Sequence, residues 1–398
     1  MKHRIVVLGA GYTGAIAAGR LARRLHGADV AITLVNAEPD FVERVRMHQL
    51  AAGQDLRPRP FREMFAGTGV RLTFAEVTGI DVDGRTVTVT DPDGTRELAW
   101  DSLVYALGSG WNTHGIPGTA EHAHDITGRP GALRLRERLA GLRAGAPVVV
   151  VGGGLTGLEA ATEIAEARPD LDVSLAARGA LGDWLSPKGR GHVRKVCAGL
   201  GITVHEHTAV TAVAADHVTT ADGRRVPAAV TVWTTGFAVH PLAKATTLEV
   251  TGTGQIVVDG TMRSVSHPDV YAIGDAAMAM GPGDKPLRMS CASGTPAAWQ
   301  GADALAARLT GTKLPDMPIR YFNQCISLGR RNGLIQYVTA DDRAVRAALT
   351  GRAAAVYKEL ICKGAAWSVA HPAFGLLTRN RRLTPRRPDT SPATPTSA

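Results

Sequence analysis

The stretch Gly9-Ala10-Gly11-Tyr12-Thr13-Gly14 follows an apolar run, Ile5-Val6-Val7-Leu8, and leads into an alanine-rich segment. The same order returns at Gly152-Gly153-Gly154-Leu155-Thr156-Gly157, behind Val148-Val149-Val150-Val151. Strand, glycine turn and helix in this order bring backbone close to a pyrophosphate, and the helix points unpaired N–H groups and its positive dipole end at it. A side chain at the middle glycine, Gly11 or Gly154, would push the phosphate away.

Each fingerprint is followed by similar features. After the first come Thr86-Val87-Thr88-Val89-Thr90, the turn Asp91-Pro92-Asp93-Gly94 and the apolar strand Leu103-Val104-Tyr105-Ala106-Leu107-Gly108. After the second come His217-Val218-Thr219-Thr220, an Asp222-Gly223 turn and Val230-Thr231-Val232-Trp233-Thr234-Thr235-Gly236. An Asp-Gly turn between alternating residues is a hairpin signal. From Gly94 to Gly108 is 14 residues and from Gly223 to Gly236 is 13, which reads as an internal duplication.

A strand ending in Gly-Asp, Asp269-Val270-Tyr271-Ala272-Ile273-Gly274-Asp275, occurs once. With both fingerprints, both terminal glycines and this Gly-Asp in order, residues 3–312 resemble the FAD-dependent pyridine-nucleotide oxidoreductases. Within them the chain looks most like the type II NADH dehydrogenase and apoptosis-inducing-factor-like group, an impression strengthened by Phe41-Val42-Glu43-Arg44-Val45-Arg46-Met47-His48-Gln49-Leu50. The resemblance implies an α/β fold of two Rossmann-like, doubly wound dinucleotide-binding domains. An FAD domain of 1–115 and 241–312 would be interrupted by an NAD(P) domain of 116–240, because Gly274-Asp275 must return to the first sheet. A C-terminal α+β segment, 313–375, would follow as an interface or cap that in relatives carries dimer contacts or membrane-surface helices.

The resemblance also assigns residues. Gly9, Gly11, Tyr12, Thr13, Gly14, Asn36, Arg44, Val77, Ala106, Gly108, Gly274, Asp275, Pro296 and Ala297 form the expected FAD set. Gly152, Gly154, Leu155, Thr156, Gly157, Arg178, Thr235 and Gly236 form the expected NAD(P) set. Glu159, two residues past the last fingerprint glycine, is expected at the flavin–nicotinamide junction, with Arg46 as the second catalytic candidate and His48 as a structural residue. An acid about 20 positions past each fingerprint usually binds ribose hydroxyls. Here Asn36 holds that place in the first copy and Ala177 in the second. Loss of the second acid removes repulsion toward a 2′-phosphate, and Arg178 supplies attraction, so the nucleotide is NADH or NADPH with a lean to NADPH. Lys188, Arg190, Arg194 and Lys195 follow nearby. Pro296 is expected in the first turn of a helix aimed at the flavin, and Trp299-Gln300 stands where type II enzymes carry a glutamine pair of the quinone pocket.

Composition narrows the classes. The chain has 398 residues, 44% hydrophobic, and a net charge of +9. In 376–398, five arginines (Arg379, Arg381, Arg382, Arg386, Arg387) face one Asp389, and the Pro/Ser/Thr-rich ending predicts a disordered basic tail. Aromatics at 5% and no nucleic-acid motif argue against a nucleic-acid partner. No apolar run reaches the ~20 residues of a membrane span, and Met1-Lys2-His3-Arg4 opens the first strand instead of a signal peptide, which predicts a cytoplasmic protein, with peripheral membrane contact as the alternative. The cysteines, Cys197, Cys291, Cys325 and Cys362, form no C-x-x-C or C-x4-C pair, and no metal site is assigned. That sets aside disulfide reduction and disfavours sulfide oxidation. In 313–372 strands are expected at 320–329 and 333–338, and helices at 344–349 and 353–362.

Three functions remain. One is an NAD(P)H oxidoreductase passing electrons to a quinone or other small acceptor, without an integral membrane segment and with a homodimer as an option. Another is a reductase or dehydrogenase of one organic metabolite, or of a ferredoxin. A third is a flavin-bound redox sensor or structural protein.

Overall fold

The computed structural model describes residues 1–315, 318–372 and 380–384. Two five-stranded parallel sheets organise it, each with its fingerprint strand in the middle. In the first, the order is Val270–Ala272, Ser102–Tyr105, His3–Leu8, Val30–Asn36, Arg71–Phe74. In the second it is Ala123–His124, Val230–Trp233, Pro147–Val151, Asp172–Ala176, Thr203–His205. Strand for strand, the last four in each order follow one plan, so the duplication read from glycine spacing is a duplication of topology.

The anticipated hairpins belong to three-stranded antiparallel sheets, Glu76–Asp81, Thr86–Asp91 and Gly94–Ala99 in the first half, Val210–Val213, His217–Thr220 and Arg225–Pro227 in the second. The Gly-Asp strand pairs with Ser102–Tyr105, returning the chain to the first sheet after the whole second sheet has been made. Alanine explains the close helix packing. Ala15, Ile16, Ala17, Ala18 and Leu21 of helix Tyr12–Arg24 are fully buried, and small side chains let this helix lie directly against helix Cys291–Thr310. Arg20 fixes the pair by a two-pronged bond to Asp303, 2.6 and 2.7 Å.

Three expectations are corrected. Residues 344–349 are alanine-rich and read as helix, yet Ala344–Thr350 is the third strand of an antiparallel sheet with Asn323–Ser327 and Gly333–Val338. Pairing decides against propensity here: buried Gln336 donates to the Val345 and Ala347 carbonyls, and Lys188 to that of Ala348. The helix after it is Gly351–Ala370, longer than expected. Helix Cys291–Thr310 starts before Pro296, which lies at its sixth position rather than in its first turn. Within the tail expected to be disordered, residues 380–384 return to the body: Arg381 bridges Leu25, Arg382 pairs with Asp29 at 2.8 Å, and Thr384 donates to Leu309. The rest of that tail lies outside the described residues.

The C-terminal segment joins both units. Ile326, Leu328, Leu334 and Ala348 enter the core of the second sheet, whereas Ala366 and Val369 enter that of the first.

Candidate active site

The two glycine turns are closed everywhere except at one point. In the first, Gly9 has φ +87°, and a Cβ there would stand 2.4 Å from the Ala106 carbonyl oxygen. A Cβ on Gly14 would stand 1.8 Å from the Gly9 carbonyl oxygen, so this glycine lets the helix start against the strand. A Cβ on Gly11 would meet nothing within 4 Å. The second turn repeats the pattern: Gly152 has φ +126°, Gly157 lies 1.8 Å by the same measure from the Gly152 carbonyl, and Gly154 faces open space. The open position is the middle glycine at both sites, and both helices begin there without a side-chain cap. Free N–H donors, a positive helix end and room above the backbone fit the pyrophosphate of a dinucleotide at both places.

Around the first cradle, Thr13 packs on Gly274, whose would-be Cβ is 2.8 Å from the threonine methyl. Asp275 accepts from Ser109 at 2.5 Å. Arg44 donates to the Thr127 carbonyl and lies beside Gly108. Tyr12 stacks edge-on to Phe41, 4.8 Å between rings, and its buried hydroxyl has no protein partner. A buried orphan hydroxyl is the kind of group a bound molecule satisfies. Asn36, expected on a ribose, is turned inward: its Oδ1 accepts the Ala10 N–H at 2.9 Å and its amide donates to the Glu38 carbonyl, so it braces the turn. Ala106 and Val77 are buried, Val77 paired with Val89. Ala297 is buried in helix Cys291–Thr310, one residue past Pro296, and Cys291 is exposed at that helix's first position.

Around the second cradle, Leu155 and Thr156 open the helix. The Thr235 hydroxyl is buried without a partner, and Gly236, φ +76°, sits against His114. Ala177 is buried against Gly153 while Arg178 is exposed and makes no hydrogen bond or ion pair among the described residues. Nearby cations are engaged elsewhere: Lys188 with Ala348, Arg190 with Gly182 and Asp183, Arg194 with Glu206. Trp299 packs in the first core under Arg20, and Gln300 donates to Gly260 at 2.9 Å.

Where the units meet, Glu159 is buried and accepts from Lys358 Nζ at 2.8 Å and from the Ser327 N–H at 3.0 Å. Burial works to raise the Glu159 carboxyl, but Lys358 and these hydrogen bonds outweigh it and hold it below the usual carboxylate range. Lys358 also donates to the Cys325 carbonyl at 2.9 Å. Sequence reasoning missed Lys358, which lies 199 residues from Glu159 in a helix where a single cation reads as a solvated residue. His48 Nδ1 lies 3.9 Å from Glu159, too far for a hydrogen bond, and its Nε2 is buried without a partner. Burial pushes His48 down to about 4, so it is neutral at pH 7.

Arg46 is placed differently from its expected part. Its guanidinium reaches Glu43 at 3.0 Å, Gln49 at 3.2 Å and both Glu359 oxygens at 2.9 and 3.0 Å, so every nitrogen of the fork has a protein acceptor. Such a closed fork orders the block between the units.

No helix among the described residues is long and apolar enough to cross a membrane. The chain matches the pyridine nucleotide-disulphide oxidoreductase family model over residues 3–304. It is 32% identical over 321 residues to an NADH dehydrogenase-like protein of Mycobacterium tuberculosis, covering 74% of this chain and 77% of that one. It is 29% identical to a demethylphylloquinone reductase of Synechocystis, over 69% and 72% of the two chains. In fold it is similar to NDH2 of Plasmodium falciparum in complex with NADH, with a TM-score of 0.78, 15% identity, and 94% and 97% of the chains covered. The chain therefore belongs to the pyridine nucleotide-disulphide oxidoreductase family and is an NAD(P)H oxidoreductase.

Proposed function

We propose that this enzyme is an FAD-dependent NAD(P)H:quinone oxidoreductase that works without a redox disulfide. The observation carrying this reading is the pair of matched cradles, each open only above its middle glycine, with the buried Glu159–Lys358 pair where the two units meet. The chemistry FAD would supply when bound is hydride acceptance from the nicotinamide and electron release to the acceptor.

Gly9, Gly11, Tyr12, Thr13 and Gly14 would hold the FAD pyrophosphate, with Asn36 bracing the turn, and Gly274-Asp275 with Ser109 would meet the ribityl chain. Gly152, Gly154, Leu155, Thr156 and Gly157 would hold the nucleotide pyrophosphate, with Thr235 and Gly236 lining the far side. Glu159 would position the nicotinamide, held ionised by Lys358, whereas Arg46 acts as a positioning residue through Glu43 and Glu359. Cys291, Cys325 and Cys362 are free thiols with no C-x-x-C partner, which supports direct transfer to the acceptor. Exposed Arg178 beside small Ala177 favours NADPH as a donor. A metabolite or ferredoxin as acceptor is the second reading, favoured by Trp299 and Gln300 being engaged in packing.

Anaerobic stopped-flow bleaching of the yellow protein by NADPH and NADH tests the donor side, and reoxidation by menadione against a ferredoxin tests the acceptor. A colourless protein that cannot be reconstituted with FAD overturns the reading. Replacing Arg178 by alanine removes one charge-assisted contact, worth ~1.5–3 kcal/mol, so KM for NADPH should rise about tenfold or more while KM for NADH stays.

A further inference from the structure

Three acids, Glu159, Glu163 and Glu166, lie on one face of helix Leu155–Ala167 at intervals of four and three residues, which places successive carboxyls on neighbouring turns. Glu159 is at the buried end, against Lys358 and His48. Glu166 is half-buried at the other end, accepting the N–H of exposed Arg330 at 2.5 Å. Glu163, between them, is 1% exposed; one oxygen takes the Gln54 amide and the other has no partner. The charged groups facing it are Glu159 and Glu166 on its own helix and Arg330 Nε at 3.9 Å; Gln54 is the neutral neighbour from the first unit, and Lys358 faces it only through Glu159.

A carboxylate with a bare buried oxygen is costly, whereas a carboxylic acid there is not. Burial, with the two flanking glutamates, outweighs Arg330 and Gln54 and pushes Glu163 up to about 7. At working pH it therefore exists in both forms, which a group that passes protons requires.

Resting on the quinone reading above, the reaction consumes a proton. NAD(P)H gives its C4 hydrogen as hydride, the quinone gains two electrons and two protons in all, and the second proton must come from solvent. We propose that Glu163 is the buried relay of a proton route that takes this solvent proton from Glu166 along one helix face toward the ionised Glu159 at the meeting point of the two units.

The test compares the wild-type holoenzyme with Glu163→Gln, which keeps the shape and the bond to Gln54 but cannot ionise, and with Glu166→Gln. Anaerobic bleaching by NAD(P)H needs no proton from solvent, and it should stay within about twofold of wild type in Glu163→Gln. Steady-state turnover with menadione should fall about tenfold or more, a modest share of the range for proton-transfer groups, and its break near pH 7 should disappear. Glu166→Gln should slow turnover and keep the break. A Glu163→Gln enzyme with wild-type turnover and an unmoved pH profile overturns the route. If Glu163→Gln does not fold, the infrared carbonyl band of a protonated buried carboxyl in wild type, titrating near pH 7, supports the route, and its absence overturns it. Wild-type protein that neither nucleotide bleaches overturns the quinone reading, a separate failure.

Discussion

At the scale of single residues, two buried groups titrate in opposite senses and set how stability follows pH. Glu163 holds its proton to about 7 where a free glutamate releases it near 4.5. The folded chain therefore keeps a proton that the unfolded chain gives up: its contribution is complete below about pH 4.5 and is lost as pH rises to about 7. The loss is of order 3 kcal/mol. Thermal melts of Glu163→Gln should thus gain on wild type from pH 5 to about 7 and level off above it, and parallel curves would show that Glu163 is ionised throughout. His48 works the other way. Its folded value of about 4 lies below the ordinary 6.5, so its contribution is present above pH 6.5 and drains away as pH falls toward 4. Replacing His48 with glutamine should flatten the acid limb of the wild-type stability curve, read by the same melts.

Among elements, the glycine turns separate folding from binding more cleanly than any other part. Gly11→Ala places a methyl where the protein has nothing within 4 Å, and the backbone there, φ −64° and ψ −171°, suits alanine. The flavin-free variant should melt within about 0.5 kcal/mol of wild type yet fail to retain FAD, as read by absorbance per chain. Gly14→Ala drives its methyl into the Gly9 carbonyl oxygen, and helix and strand must part, costing at least ~3 kcal/mol. If both variants bind FAD normally, the cradle is not the cofactor site. These turns were legible because φ and close approach are local demands that glycine alone meets. Hairpins and the returning Gly-Asp strand were legible for the same reason, through turn residues and alternation. Ala344–Thr350 was not, because its residues favour a helix and only pairing with Gly333–Val338 makes it a strand. The partner of Glu159 was not, because a contact across 199 residues leaves no periodic trace. Nor was the inward turn of Asn36: position marks a ribose acid, and only geometry shows the amide bonded to Ala10 instead.

Over the whole molecule, helix Gly351–Ala370 ties the two units together through consecutive residues. Lys358 reaches Glu159 on the second unit's fingerprint helix, and Glu359 reaches Arg46 in the block that follows the first unit's second strand. That block carries on into Met47, Leu50 and Ala51, which lie in the core of the second unit. One helix therefore holds the distance between the cradles by two ion pairs that differ in burial. Glu359 is 34% exposed, so screening reduces its pair with Arg46 to about 1 kcal/mol. Lys358 and Glu159 are 13% and 11% exposed, and Lys358→Met would leave a buried carboxylate without its cation, costing ~3–5 kcal/mol. At a few degrees per kcal/mol, the melting point should drop by roughly 10 °C. Adding Glu159→Gln removes the stranded charge, and the double variant should regain most of the loss, since an uncharged pair in that place needs no partner cation. If Glu159 positions the nicotinamide as proposed, hydride transfer should not recover with stability, because the double variant still lacks the ionised carboxylate. Single losses that simply add in the double variant would show that the helix is held by its apolar face and not by this pair.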